Sequence, residues 1–441
     1  MKIIFCLHHF LPQTVGGTEI YTLRLAQQLQ HLGVNTLVVI PNLDSSVTDE
    51  YHFEGIKIIR YAEQTNSSRS IIMGKKAPDG INKFSNILID EKPDLIHFHE
   101  ISAGRGISLF HLQRANALGI PIILTCHLAN YTCLSGSLAY KGTELCDGLI
   151  NIKKCTECVF HTKGFKNTKG KLLRKSAGLL YSINLNTIVF DNPVGTALGF
   201  PFLIKKVQTD LIKLSSFTNK IIVLTKWYKN ILEKNGVPLN KLIHFKQGLT
   251  SNRLVKRLPL KIIYPVKIVF VGRISEVKGV YLLIDAISKI DPTKIALYIY
   301  GPETSNDFVM NCKQKSILNP NIHWMGLVPS SDVIDELAKY HVLCLPSIFS
   351  EMSPLVIQEA FAAGLPVLVS NVYGNAEQVR DGVDGWLFRF NDIVHLCEKL
   401  RALSNDFSLI EKARLNLPST QSFLNIALEH VELYSNVLRE N

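Results

Sequence analysis

Short apolar runs alternate with helical patterns along almost the whole chain of 441 residues. The apolar runs indicate buried strands, and the amphipathic segments between them have the 3.6-residue period of helices. Strands that alternate with helices predict parallel sheets with helices on both faces. The candidate strands form two series, which are KIIFCL, NTLVVI, IKIIR, DLIHFH, PIILTCH, NKIIVLT and KLIHF, followed by VKIVFVG, IALYIYG, NIHWMG, HVLCLPS and PVLVS.

The length and this double series predict two α/β domains of about 200 residues each. Residues 251–265 are basic, contain two prolines and precede a fresh strand, so we place the linker there. The first domain is then expected to cover residues 1–255 and the second residues 256–419. The last segment, about 420–441, has a helical pattern and is expected to pack back on the first domain.

No run of about 18 apolar residues occurs, so a membrane-spanning helix is not expected. The N-terminal MKIIFCLHHFLP has too short an apolar run for a signal-peptide core and reads as a first strand. These features predict a cytoplasmic protein.

Charge is unevenly distributed, with a net charge of +15 for residues 1–260 and −4 for residues 261–441. The densest basic segment, residues 163–175, has no acid and is followed by apolar residues. Such a segment suits the surface of an anionic membrane, but a solvated basic face is an equal alternative. No nucleic-acid reader motif accompanies the charge, so nucleic acid is not an expected partner. The basic residues are Lys163, Lys166, Lys169, Lys171, Arg174 and Lys175.

Four of the nine cysteines lie close together in the sequence, with the spacing C-x12-C-x8-C-x2-C. The final C-x2-C is a common half of a tetrahedral thiolate site, so a structural zinc ion is one hypothesis. Reduced or redox-paired thiols are the other, because a single C-x2-C is not decisive. The four residues are Cys133, Cys146, Cys155 and Cys158.

Two acids, Glu351 and Glu359, lie in SIFSEMSPLVIQEAFAAGLPVLVS, which predicts a strand, a loop, a helix and a strand. Glu351 falls in the loop and Glu359 in the helix. Because eight helical residues rise only about 12 Å, both acids could contact one extended ligand. Loops at the carboxyl ends of parallel strands, before a helix, are where such ligands bind.

Each series also begins with a candidate anion site. Gly16 and Gly17 open a helix after the first strand of the first series, where backbone N–H groups can approach a phosphate. Arg273 and Lys278 flank a helix start after the first strand of the second series, where they can neutralise one. No G-x-G-x-x-G follows either strand, which argues against a nicotinamide or flavin site.

These motifs together resemble retaining glycosyltransferases of family 4. The resemblance extends over nearly the whole chain and includes GGTE, DLIHFHE, TCH, VGRISEVKGV, YGP, the two glutamates, AAGLPVLVS and GNAEQVRDGVDGW. It implies the GT-B fold, in which two Rossmann-like domains with doubly wound parallel sheets face each other across a cleft. It also implies a hexosyltransferase that needs no metal for catalysis and takes a nucleotide-diphosphate sugar.

The resemblance implies roles for residues of the second series. Glu359 corresponds to the acid that accepts hydrogen bonds from the ribose, and Glu351 to the acid that contacts a hydroxyl of the donor sugar. Arg273 and Lys278 correspond to the diphosphate clamp. Backbone N–H groups beside Glu351 are expected to help, and they belong to Met352, Ser353 and Leu355. The sequence MSPL departs from the glycine-rich version of many relatives.

In the first series, Gly17 corresponds to the glycine whose amide supports the phosphates, and His127 to a histidine near the transferring sugar. His97 and His99 are expected to be structural and to face opposite sides of their strand, with His99 nearer the cleft. Glu377 is expected to order a loop.

The expected reaction is sugar transfer from a UDP- or GDP-sugar, with retention, to a glycan or lipid-linked acceptor in surface polysaccharide synthesis. A glycosidase and a catalytically silent GT-B scaffold are the alternatives.

Overall fold

The structure is a computed structural model that describes residues 1–64, 68–101, 106–190, 192–249, 262–302 and 307–440. It divides into two compact units. Unit 1 comprises residues 1–136, 147–246 and 423–441, and unit 2 comprises residues 137–146 and 247–422. The predicted domain boundary at residue 255 lies outside the described residues.

The described residues contain sixteen strands. They are β1 (Lys2–Cys6), β2 (Asn35–Leu43), β3 (Asp49–Phe53), β4 (Ile56–Glu63), β5 (Leu95–Phe98), β6 (Ile122–Cys126), β7 (Ala139–Tyr140), β8 (Glu144–Leu145), β9 (Lys220–Val223), β10 (Leu242–His244), β11 (Val266–Val271), β12 (Ile295–Tyr300), β13 (Ile322–Gly326), β14 (Val342–Leu345), β15 (Val367–Ser370) and β16 (Gly385–Phe388).

The α-helices of the described residues number seventeen. They are α1 (Gly17–His31), α2 (Arg69–Ile72), α3 (Ile81–Glu91), α4 (Leu109–Ala117), α5 (Ile152–Thr162), α6 (Thr168–Ser182), α7 (Pro193–Leu198), α8 (Phe200–Phe217), α9 (Lys226–Lys234), α10 (Val280–Ile287), α11 (Asp307–Ser316), α12 (Val333–Leu337), α13 (Leu355–Ala362), α14 (Tyr373–Ala376), α15 (Ile393–Asn405), α16 (Phe407–Leu415) and α17 (Phe423–Glu440).

Unit 1 is built on an eight-stranded sheet in the order β10-β9-β6-β5-β1-β2-β4-β3. All of its pairings are parallel except that of β3 with β4. The central strands β5 and β6 are buried along their whole length, as expected for a parallel sheet covered on both faces. The chain order reverses between β1 and β5, so the loops that follow these strands flank a crevice where α/β sheets bind ligands.

Unit 2 contains a six-stranded parallel sheet in the order β13-β12-β11-β14-β15-β16. Here the order reverses between β11 and β14. The small antiparallel hairpin of β7 and β8 belongs to this unit, although it comes from residues that precede most of it in the chain.

The C-terminal helix α17 packs in unit 1 against α1. The ring of Phe423 meets Tyr21 edge to face at 5.3 Å, and the Tyr434 hydroxyl lies 2.7 Å from His97 Nδ1. Both tyrosines are completely buried, so the last 18-residue helix completes the core of unit 1.

All the predicted strands are present. Four further strands were missed, which are the two-residue strands β7 and β8 of the hairpin, the edge strand β3, and β16. The edge strand β3 has partly exposed residues along its whole length and no apolar run, whereas β16 is a four-residue strand directly after a turn.

Candidate functional site

The residues after β11 and β14 meet at the carboxyl edge of the unit 2 sheet. Lys278 ends a short 3-10 turn and is followed by Gly279, whose φ of 70° lies in the left-handed region. A Cβ on Gly279 would lie 1.8 Å from the carbonyl oxygen of Pro346, which follows β14. Only glycine allows this approach of the two loops. The Ile348 N–H also donates to the Val277 carbonyl at 2.8 Å, which ties the loops together.

This approach places a lysine against a buried carboxylate. Lys278 Nζ donates to Glu351 Oε1 at 2.7 Å, and the side chains are only 16% and 8% exposed. The hydroxyl of Ser347 donates to the same oxygen at 2.6 Å. Since both bonds end on Oε1, the second carboxylate oxygen can accept from a ligand hydroxyl, and Lys278 has two further N–H donors.

The backbone around Glu351 is held by its neighbours. A Cβ on Gly374, at α14, would lie 1.9 Å from the Glu351 carbonyl oxygen, so this position also requires close backbone approach. The Ser347 carbonyl accepts from the Ser370 hydroxyl at 2.6 Å. No role was predicted for Ser347, Gly279 or Gly374. Gly279 and Gly374 lie inside the motifs VGRISEVKGV and GNAEQVRDGVDGW. These motifs were the sequence signal that could have identified the two glycines.

The other predicted donor-site residues of unit 2 surround this pair in sequence. Glu359 is buried on α13, one turn after Leu355, the first residue of that helix. Met352 and Ser353 are buried in the preceding loop. Arg273 is exposed two residues after the end of β11, and Glu377 follows α14.

The predicted residues of unit 1 lie at the corresponding edge of its own sheet. Gly16 is the N-cap of α1 and Gly17 its first residue. A Cβ on Gly16 would lie 2.6 Å from Glu19 Oε2, so the glycine leaves room for this carboxylate in the first turn. His127 follows β6 and is half-buried.

A buried histidine group surrounds His127. His99 Nδ1 lies 3.0 Å from His127 Nε2, and burial lowers the pKa of His127 to about 3. The prediction that His97 and His99 face opposite sides was wrong. Residues two apart on a strand share a face, and these rings lie 4.2 Å apart.

The predicted zinc site is not found. Among the residues that the structure describes, no group of three or more His, Cys, Asp or Glu side chains could hold a metal ion. None of the four cysteines is in a disulfide. Cys155 and Cys158 are one turn apart on α5. Cys146 belongs to unit 2, whereas Cys133 belongs to unit 1 with the helical pair.

Comparison with known families agrees with the two-unit architecture. Residues 15–153 match the model "Glycosyltransferase Family 4", and residues 264–416 match "Glycosyl transferases group 1". The chain belongs to glycosyltransferase family 4. Both the predicted family and the predicted GT-B fold, with two parallel-sheet α/β domains, are therefore confirmed.

Solved structures with this fold include sucrose-phosphate synthase from Thermosynechococcus elongatus, with a TM-score of 0.65, 16% identity and coverage of 100% of both chains. Anabaena HepE in complex with UDP-glucose has a TM-score of 0.62 and 15% identity, and the match covers 99% of this chain and 100% of HepE.

A curated relative is the putative colanic acid biosynthesis glycosyltransferase WcaL of Escherichia coli, which is 28% identical over 180 residues. The match covers 39% of this chain and 44% of WcaL, so the chain spans less than half the length of this relative.

Proposed function

We propose that this family 4 protein transfers a sugar from a UDP- or GDP-sugar to a hydroxyl of a glycan or lipid-linked acceptor, with retention of anomeric configuration. The observation that carries the proposal is the buried Lys278–Glu351 pair at the switch point of the unit 2 sheet. The complex of HepE with UDP-glucose supports a nucleotide-sugar donor, and WcaL supports a role in surface polysaccharide synthesis.

The pair suits the departure of a diphosphate. Glu351 holds Lys278 in one position before the substrate arrives, so little reorganisation is needed when negative charge grows on the leaving phosphate. Arg273, which also follows β11, adds a second cation. Their positive charge takes the place that a divalent ion has in other transferases, so catalysis does not require a metal.

Glu359 is proposed to accept hydrogen bonds from the ribose hydroxyls. Its place one turn into α13 sets it beside the N–H groups that open this helix, where the phosphates of the donor would bind. Glu351 would then hold the sugar end and Glu359 the ribose end of one donor. Arg273, Lys278, Glu351 and Glu359 are all present, which argues against a catalytically silent scaffold.

The function is tested by a thermal-shift screen of UDP- and GDP-sugars, followed by assay of the best donor with membrane extract as acceptor. We expect Glu359→Ala to raise the donor KM by roughly 10- to 100-fold with little change in kcat, because a pair of charge-assisted hydrogen bonds is lost. Glu398→Ala, at an exposed position of α15, is the matched control and should leave KM unchanged.

The product's anomeric configuration, read by NMR, decides between retention and inversion. The proposal is wrong if no nucleotide sugar stabilises the protein and the protein hydrolyses glycosides without a nucleotide sugar. The protein would then be a glycosidase. Tight donor binding without turnover on any acceptor would favour a scaffold.

We also propose that unit 1 binds an anionic membrane at the cytoplasmic face through α6 and the basic segment 163–175. In the described part of the chain, no helix is long and apolar enough to cross a membrane. However, Leu172 and Leu179 of α6 and Ile183, the residue that follows this helix, have the i, i+7, i+11 spacing of one helix face and are 67%, 64% and 63% exposed. Lys171 and Lys175 are exposed beside this stripe.

An exposed apolar stripe between lysines is typical of helices that lie in the interface of an anionic bilayer. Arg174 is the exception within the segment, because it pairs with Glu157 of α5 at 2.8 Å. A membrane-bound unit 1 would favour a lipid-linked acceptor over a soluble one.

Charge reversal at Lys171 and Lys175 should weaken binding to phosphatidylglycerol vesicles by at least about tenfold, since each basic residue near the surface contributes about 1 kcal/mol. Leu172→Ser with Leu179→Ser should also weaken it. Vesicle co-sedimentation provides the measurement. Ile317→Ser with Leu318→Ser, equally exposed in unit 2, is the control. Equal binding of all variants would leave the solvated basic face as the explanation.

A further inference from the structure

His99 and His127 follow neighbouring strands of the unit 1 sheet. β5 pairs in parallel with β6, so the residues after them lie side by side at the same edge. His99 is completely buried, and its backbone N–H donates to the Cys6 carbonyl of β1 at 2.8 Å. His127 is half-buried. The backbone of His99 is therefore held in place, and the half-buried ring of His127 is the one that a ligand can reach.

The two imidazoles form one bonded pair. His99 Nδ1 lies 3.0 Å from His127 Nε2, and the rings stack with centroids 5.3 Å apart and planes 21° apart. Tyr21 of α1 contacts both rings, at 5.0 Å from His127 and 5.8 Å from His99. Phe5 of β1 meets the His99 ring edge to face at 5.2 Å. This packing leaves His99 little rotational freedom.

The protonation of the pair follows from its surroundings. Burial lowers the pKa of both histidines, so both are neutral near pH 7 and share one proton between Nδ1 and Nε2. Among the described residues, His99 Nε2 is buried without a hydrogen-bond partner. Buried N–H groups without an acceptor are rarer than unpaired acceptors. The proton of His99 is therefore on Nδ1, from which it donates to His127.

The neighbouring buried histidines do not bond to His127. His97 uses both ring nitrogens, with Tyr434 at 2.7 Å and Thr125 at 2.8 Å. His430 uses Nδ1 toward the Ile426 carbonyl at 2.7 Å.

We propose that His99 is a positioning residue that fixes the tautomer and orientation of His127, so that His127 presents a protonated Nδ1 to a hydroxyl oxygen of a substrate bound at this edge of the unit 1 sheet. The inference rests on the proposed transferase function of the chain. With His127 held by its Nε2, the opposite ring nitrogen is a donor in a set direction. Orientation of this kind acts on the reacting complex more than on donor affinity.

The test uses three substitutions of His99 in the full-length chain. His99→Phe keeps the ring volume and loses the hydrogen bond. His99→Asn places an amide nitrogen near the former Nδ1, whereas His99→Gln places it near Nε2. We expect His99→Phe to lower kcat by roughly 10- to 100-fold with donor KM changed less than about threefold. His99→Asn should recover most of kcat, and His99→Gln should not.

His111→Phe is the matched control, because His111 is another completely buried histidine of unit 1, bonded to the Tyr61 hydroxyl at 2.9 Å. It should lower the melting temperature and leave kcat within about twofold of the wild type, which separates loss of packing from loss of positioning. Equal kcat losses in His99→Phe and His99→Asn would overturn the proposal.

A readout independent of activity is the ¹⁵N spectrum of histidine-labelled protein. In the wild type we expect His127 to be a single Nδ1–H tautomer, and in His99→Phe a mixture of both tautomers. An unchanged His127 spectrum in His99→Phe would overturn the positioning role. If the wild type transfers no sugar but the tautomer responds as expected, the proposed function fails while the hydrogen bond stands.

Discussion

Lys278→Ala is expected to lower kcat by roughly 100- to 1,000-fold while the protein remains folded, as is typical when one preorganised donor to a developing oxyanion is removed. The lysine is held by Glu351 at 2.7 Å in a site that is nearly closed to solvent. Its charge therefore acts on the leaving phosphate without screening by bulk water. Steady-state assays with the donor found by thermal shift measure the effect.

The same substitution also leaves the carboxylate of Glu351 without its cation. We expect this to lower the free energy of unfolding of unit 2 by roughly 1–3 kcal/mol. The double variant Lys278→Ala with Glu351→Gln should recover stability and remain inactive, which separates the catalytic effect from the stability effect. Lys339→Ala, at an exposed pair with Glu336, is the control for loss of a surface lysine. A kcat within about threefold of the wild type in Lys278→Ala would remove this lysine from the clamp.

Acid is expected to unfold unit 1 before unit 2. Burial lowers the pKa of His97 and His99 well below the ordinary value, and it lowers the pKa of His430 to about 4 and that of His127 to about 3. His430 of α17 stacks on His97, and the four rings form one group, so a positive charge on one of them would also repel the next.

The sign of the pH dependence follows from these shifts. Above pH 6.5 the histidines are neutral in both states and stability is complete. Below pH 6.5 the unfolded chain binds protons that the folded unit does not, so stability falls as pH falls toward 4. Each such histidine contributes about 1.4 kcal/mol per pH unit over that window. Since domains are stable by only about 5–15 kcal/mol, a few of them suffice to unfold unit 1 near pH 5.

The tryptophans allow the two units to be followed separately. Trp227 lies in unit 1, whereas Trp324 and Trp386 lie in unit 2. Urea titrations of a Trp324→Phe with Trp386→Phe variant, monitored by fluorescence from pH 7.5 to pH 5, report on unit 1 alone. His430→Phe should make the pH slope shallower by about 1.4 kcal/mol per pH unit. His52→Gln, at an exposed position, should not change the slope. A stability of unit 1 that is independent of pH would contradict the expectation.

Local patterns were enough to predict twelve of the fourteen strands that form the two sheets. The apolar runs are buried strands, and glycine, proline and capping residues separate them from helices in the expected order. Strand β3 escaped prediction because an edge strand buries too little to show an apolar period. The zinc hypothesis was not confirmed, because cysteine spacing does not say whether C-x2-C lies in a turn or in a helix, and here it lies in α5.

By itself, the sequence determined the family, the two α/β domains and the candidate residues at strand ends, because these depend on short-range periodicity and on motif order. Only the tertiary structure decided which of them meet. Lys278 and Glu351 are 73 residues apart and are joined because Gly279 admits the Pro346 carbonyl. His99 and His127 meet because β5 and β6 are neighbours in the sheet. Such contacts arise from strand order and close backbone approach, which no local pattern specifies.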